Sequence, residues 1–282
     1  MTEKTGIPNK LFHYTKRETA LEYILPTGRI KLSPFADTND PVEVKTWGFP
    51  IRHIPENKID DISEFTGIQD EANRIRTQEW KLLCLTMDAP GYKEPEPGML
   101  FTGHFLRGFC RSRMWAQYAD RHTRVCLVFD GIKLDQSIKE VLGATSTIFS
   151  GPVRYQDQWD KESLTEIGAF FLSYKEIGNA DFSTGLRSHF LRNYEKFFLR
   201  KSRDWETEFE YRWLVHNTVL GPEYVPISAS LHSVIVGVDF PKVYEPSLIE
   251  VCKNLNISAG RMYWTGRVPG GSSENIYKPS SA

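Results

Sequence analysis

From Glu208 to Val215 the chain alternates residue by residue, with Phe209, Tyr211 and Trp213 on one side and Glu208, Glu210 and Arg212 on the other. Strand side chains point to opposite faces with a period of two, so the pattern demands a half-buried strand with one aromatic and one charged face. Like charges on one strand face raise each other's pKa, while Arg212 pulls the nearer carboxylate back down. Such a row reads equally as a solvated ladder or as the acidic end of an active site. A second polar cluster, His13-Tyr14-Thr15, set into an apolar start, tips the reading toward a site.

The rest of the chain supplies partners for that strand. Lys10 to Tyr14 reads as a first strand, and Thr15 with Glu18 forms a capping-box pattern that opens a helix through Leu25. Pro26-Thr27-Gly28 ends that helix, and Arg29 to Ser33 alternates as a second strand. Asn39-Asp40-Pro41 is a turn signature that leaves Glu43 exposed. Asn57 to Glu79 is polar and helical in part, Trp80 to Thr86 is a buried strand, and Ala89 to Gly98 is a loop. A helix carries Met114 to Ala119, and strands follow at Val125–Asp130 and Val153–Tyr155. Lys161 to Phe198 is mostly helical, Val234 to Gly237 is a strand, and Ser247 to Leu255 is a helix. These elements predict a single α+β domain over residues 1–268, a mixed sheet of short strands flanked by helices. The Gly-, Ser- and Pro-rich residues 269–282 read as a flexible tail.

Net charge is -1, so no global basic field advertises nucleic acid. Cys84, Cys110, Cys126 and Cys252 are scattered without metal spacing and read as buried thiols in a reducing cytoplasm. No apolar signal core and no long apolar run is present, which sets the expectation of a cytoplasmic protein with no membrane partner. Phosphate-loop, GxGxxG, HExxH and GxSxG motifs are missing.

The candidate residues each carry two readings. His13 is either a satisfied structural ring or a donor and acceptor for a ribose hydroxyl or a phosphate. Tyr14 fits the core, and Thr15 fits the helix cap. Trp115 and Tyr118 share a helical face, for core packing or for stacking on a base or nicotinamide. Arg107, Arg111, Arg113, Arg121 and Arg124, interleaved with Phe109, Trp115 and Tyr118, suit phosphates or a solvated face.

Six blocks carry a resemblance: Phe12-His13-Tyr14-Thr15, Asn39-Asp40-Pro41-Val42-Glu43, Met114 to His122, Val125 to Asp130, Lys201 with Trp205 to Arg212, and Val234 to Gly237. In that order the chain resembles a bacterial family known as domain of unknown function 2971, departing from it at Thr123-Arg124, where the family has a basic residue followed by Gly. That label brings no chemistry. The opening (apolar-His-Tyr-Thr, a short helix, a Gly, a short strand) also resembles ADP-ribosyltransferase-type domains. In those a first-strand His or Arg and a small polar residue hold NAD, and a later strand-edge Glu is catalytic. The resemblance implies NAD binding by His13, Tyr14 and Thr15, with Trp115 or Tyr118 stacking on it, and an ExE-type pair in Glu208 and Glu210. It implies that Glu210 stabilises the oxocarbenium-like state of ribose–nicotinamide cleavage and that Glu208 orients or deprotonates the nucleophile, with Arg212 fixing the pair.

The expected activity is ADP-ribosyl transfer to a protein or nucleic acid, as a toxin or anti-phage effector with an antitoxin or defence-system partner. Two readings compete with it. One is a metal-dependent nuclease using Asp40, Glu43, Glu208 and Glu210 as oxygen ligands. The other is a non-catalytic module that senses a nucleotide or phage component.

Overall fold

Central to the fold is one mixed ten-stranded sheet, covered on both faces. The structure, a computed structural model, describes residues 6–93, 104–118, 122–157, 166–178, 181–265 and 268–279. The strands are β1 (Lys10–Thr15), β2 (Arg29–Pro34), β3 (Trp80–Thr86), β4 (Val125–Asp130), β5 (Thr147–Pro152), β6 (Glu210–His216), β7 (Glu223–Pro226), β8 (Leu231–Val236), β9 (Ser258–Thr265) and β10 (Val268–Tyr277). Their order is β7-β2-β3-β1-β4-β8-β9-β10, with β6 lying between β3 and β5. The β8–β9 pairing is parallel and the other pairings within this sheet are antiparallel. The continuous apolar run of β4 suits its central place, buried on both faces.

The principal helices are α1 (Ile62–Arg74), α2 (Ser112–Tyr118), α3 (Gly131–Leu142), α4 (Phe182–Arg192) and α5 (Glu245–Leu255). One core joins Leu83, Leu127 and Trp213 to Leu134 and Ile138 of α3 and to Leu248 of α5. The opposite core joins Trp80, Leu82 and Leu214 to Ile68 of α1 and Phe190 of α4. A third packs Phe12, Tyr14 and Val128 against Met114 and Trp115 of α2. Alternation thus sends successive residues of β3 and β6 into opposite layers, as the pleat requires.

Two features of β3 create the site. Along one edge β3 pairs with β6 over its whole length, from Thr86↔Glu210 to Trp80↔His216. Along the other it meets β1 at Phe12↔Thr86 and β2 at Ser33↔Leu82 and Pro34↔Lys81. Beyond Phe12, β1 stays with β4 through Thr15↔Val125 and leaves β3. The sheet therefore splits opposite Leu83, Cys84 and Leu85.

Several elements differ from the sequence expectation. The helix after β1 forms, but as a π-helical turn (Thr19–Ile24) running into Leu25–Thr27, and Glu18 pairs with Arg17 at the surface. Gly28 ends it at φ 61, a left-handed position that Gly adopts without a Cβ penalty. The long helical stretch is interrupted at Leu172–Ser173, which pairs in parallel with Ile51–Arg52. Strand β5 carries no strong alternation and is defined by its pairing with β6. Residues 268–277, expected mainly as tail, instead form β10, because pairing with β9 satisfies a Gly- and Ser-rich backbone whose composition alone reads as coil.

Candidate active site

The split in the sheet opens a cavity of about 250 Å³. His13 lines it from β1, Ser33 from β2, Cys84 and Thr86 from β3, and Glu210 and Arg212 from β6. Glu43, Lys201 and Glu208 complete its charged wall.

The ExE pair is built differently from two teeth of one strand. Glu208 ends a 3-10 turn (Arg203–Glu208), Phe209 takes the left-handed conformation at φ 46, and the strand starts at Glu210. A bulky residue with positive φ is strained, and strain of this kind concentrates at functional sites. The Arg111 guanidinium sits 4.4 Å above the Phe209 ring, and Met87 N–H donates to the Phe209 carbonyl at 2.8 Å. The Tyr155 hydroxyl accepts the Glu210 N–H at 2.9 Å. These contacts hold the reversal that lets both carboxylates meet Lys201.

Lys201 Nζ lies 2.9 Å from Glu208 Oε2 and 2.9 Å from Glu210 Oε2. Arg212, with no exposed surface, donates to Glu210 through Nε at 2.7 Å and Nη2 at 3.2 Å, a bidentate fork. Its Nη1 donates to the Phe198 carbonyl at 2.7 Å. Burial opposes the charge on Glu210, but Arg212 and then Lys201 outweigh it and hold this carboxyl well below the usual range. Burial likewise opposes the Lys201 ammonium, and Glu210 foremost, with Glu43 and Glu208, more than restores it. Glu210 is thus an ionised carboxylate with fixed geometry.

Glu43 was expected at the surface, and the structure corrects this: it is 4% exposed. Asp40 and Pro41 start a one-turn helix (Pro41–Val44), in which Asp40 Oδ1 accepts the Val42 N–H at 2.9 Å. Arg76, itself buried, then pins the Glu43 carbonyl at 2.6 Å. Glu43 Oε1 lies 2.7 Å from Arg212 Nη1 in a close ion pair, and among the described residues neither carboxylate oxygen receives a well-aligned hydrogen bond. Burial is the leading influence on this group and raises its pKa, against the pull of Arg212 and Lys201.

The protonated form of Glu43 is therefore the one that folding favours. Its contribution to stability is complete below the unfolded carboxylate pKa and is lost as pH rises through the raised folded value. Glu43→Gln should accordingly gain thermal stability relative to wild type as pH is raised above the carboxylate range, read from melting curves between pH 4 and 8. A variant that instead weakens toward high pH would show the ionised Glu43–Arg212 pair to be net stabilising.

His13 is half-buried, and its Nδ1 lies 3.4 Å from the Cys84 carbonyl across the split. A carbonyl only accepts, so Nδ1 carries the proton and Nε2 is left as an acceptor. Burial lowers the His13 pKa and keeps the ring neutral near pH 7. Tyr14 lines the cavity with its ring, but its hydroxyl is committed to the Gly108 carbonyl at 2.7 Å.

Other expected contacts are not brought together. Thr15 is buried at the end of β1 and does not line the cavity. Trp115 has no exposed surface, donates its indole N–H to the Phe109 carbonyl at 2.7 Å and meets Tyr14 edge-on at 5.1 Å. It supports β1 from behind and is not a stacking platform. The Tyr118 side chain and Arg121 lie outside the described residues. Arg107 and Arg111 stack on Tyr92 and Phe209, which ties the basic stretch to loop packing.

Of the four oxygen ligands of the nuclease reading, Asp40 serves as a helix cap outside the cavity wall, and Glu208 and Glu210 are held by Lys201 and Arg212. Among the described residues no group of three or more His, Cys, Asp or Glu side chains is arranged to hold a metal ion. Nor, among these residues, is any helix long and apolar enough to cross a membrane.

Residues 114–213 match the family described as protein of unknown function (DUF2971). The match runs from α2 into β6 and so includes Lys201, Glu208, Glu210 and Arg212, while His13 and Glu43 lie outside it. No curated protein and no solved structure matches the chain.

Proposed function

We infer that the cavity at the split sheet binds the nicotinamide–ribose end of NAD and that the protein transfers ADP-ribose to a nucleophile on a protein or nucleic acid, within an ADP-ribosyltransferase-like fold. The observation that carries this reading is the meeting of first-strand His13 with Glu208 and Glu210 on one cavity, from positions distant in sequence. The cavity's volume, about 250 Å³, is below the roughly 300–1,000 Å³ of sites that enclose whole ligands, which suits one end of a dinucleotide.

In the reaction the ribose C1′–nitrogen bond breaks and its electron pair neutralises the pyridinium of departing nicotinamide. A nucleophile bonds to C1′ and gives up its proton. Positive charge grows on the ribose only as the transition state is reached, so a fixed carboxylate at Glu210 favours that state over the bound substrate. His13 Nε2 is an acceptor for a ribose hydroxyl. Glu208, beside the same ammonium, receives or orients the nucleophile's proton. Phe12 and Tyr14 replace Trp115 as the aromatic wall.

The test is release of nicotinamide from NAD by the purified protein in the presence of a chelator, followed by chromatography, with a bacterial lysate as source of acceptor. Release that survives the chelator, with label from the NAD adenine appearing on macromolecules, is expected. No release, or release without transfer, would set the transferase reading aside.

A further inference from the structure

A second cavity of about 310 Å³ shares no lining residue with the first. Three stretches distant in sequence converge on it: Arg52 and His53, then Phe171 to Glu176, then Arg192 and Lys196. Short parallel pairing of Ile51–Arg52 with Leu172–Ser173 joins the first two, and α4 with the following turn (Tyr194–Phe198) supplies the third.

The charge at this cavity is unbalanced. Among the described residues Glu176 is the sole carboxylate of its lining, and it is taken by Arg192 at 3.1 Å. Arg52 and Lys196 have no carboxylate within ion-pair distance among the described residues, whereas Lys58, Arg74 and Arg187 each find one. Arg52 is also positioned in advance. Its guanidinium lies 3.5 Å over the Phe171 ring, which leaves the in-plane N–H groups available to an acceptor. His53 adds a ring held beside Ser173, with Nδ1 at 3.3 Å from the hydroxyl oxygen, on a backbone at φ 57. An imidazole in that place supplies a further directional donor.

We propose that this second cavity is an anion site that binds a phosphoryl group through Arg52, Lys196, Arg192 and His53. The donor set suits a tetrahedral anion: the Arg52 guanidinium fork and the His53 imidazole come from one stretch, and the Lys196 ammonium comes from another. The size admits a phosphate with part of what it is attached to. The inference does not depend on NAD chemistry at the first cavity. The segment from Lys196 to Lys201 leads from one cavity wall to the other.

Two arms separate the sources of such a group. Inorganic phosphate and AMP are titrated by calorimetry, and a fluorescein-labelled single-stranded oligonucleotide by anisotropy, into wild type, Arg52→Ala and Lys196→Ala. Each variant is expected to lose roughly tenfold or more in affinity, since each removes a charge-assisted hydrogen bond. Melting temperature should hold, because both side chains reach solvent. Binding of phosphate or AMP would assign a small phosphorylated molecule, and binding of the oligonucleotide alone would assign a nucleic-acid backbone. No binding in either arm, or binding unchanged in both variants, would overturn the site.

Discussion

Replacing Arg212 by leucine is expected to destabilise the fold by about 3–5 kcal/mol, the range for removing one partner of a buried ion pair. The guanidinium is fully buried and is the bidentate partner of Glu210, the nearest cation to Glu43 and a donor to the Phe198 carbonyl. Leucine fills part of the space but removes the closest cation from both Glu210 and Glu43, with Lys201 left as the ammonium that acts on the two. Chemical denaturation of the variant against wild type measures the loss. A loss under about 1 kcal/mol, the level of a solvated surface pair, would contradict a dry charged wall.

The second large effect is on turnover. Glu210→Gln should lower the rate of nicotinamide release by roughly 100- to 1,000-fold, the loss seen when one preorganised electrostatic contact to a transition state is removed. Affinity for NAD should change little, because a carboxylate facing a charge that forms late contributes mainly to the transition state. Single-turnover kinetics with enzyme in excess over NAD, at varied enzyme concentration, separates the two. A variant that keeps its rate would exclude Glu210 as the catalytic carboxylate and move the assignment to Glu208. Folding of the variant is checked alongside, since Gln also leaves Lys201 and Arg212 with one fewer counter-charge.

Much of this arrangement can be read before any coordinates exist, and the failures have physical causes. The alternation around Tyr211 and Trp213 places a strand beside β3, and the apolar runs at Trp80 and Val125 mark its neighbours. His13 and Glu210 are legible as candidates because each is a polar group that local burial does not explain, and both line the cavity. Glu43 is not legible, because Asn39-Asp40-Pro41 describes only a local turn, and its burial comes from Arg76 and Arg212, distant in sequence. Lys201 sits in a short two-residue strand beside Arg154–Tyr155, and no pattern around it announces two carboxylates. Trp115 errs in the opposite direction. An aromatic one turn from Tyr118 suits a ligand platform as well as a core, and only the tertiary contact with Tyr14 and the Phe109 carbonyl decides. The basic cavity at Arg52 is likewise invisible in sequence, since Arg52 is far along the chain from Arg192 and Lys196.

The central claim is that the split between β1, β2 and β3 is a nucleotide site, and calorimetric titration of NAD into wild type and His13→Ala, in chelator, tests it most directly. Saturable binding by wild type that weakens strongly in His13→Ala is the expected result. No binding by wild type, or equal binding by both proteins, would contradict the account, because the imidazole that lines the cavity from β1 would then be a structural side chain.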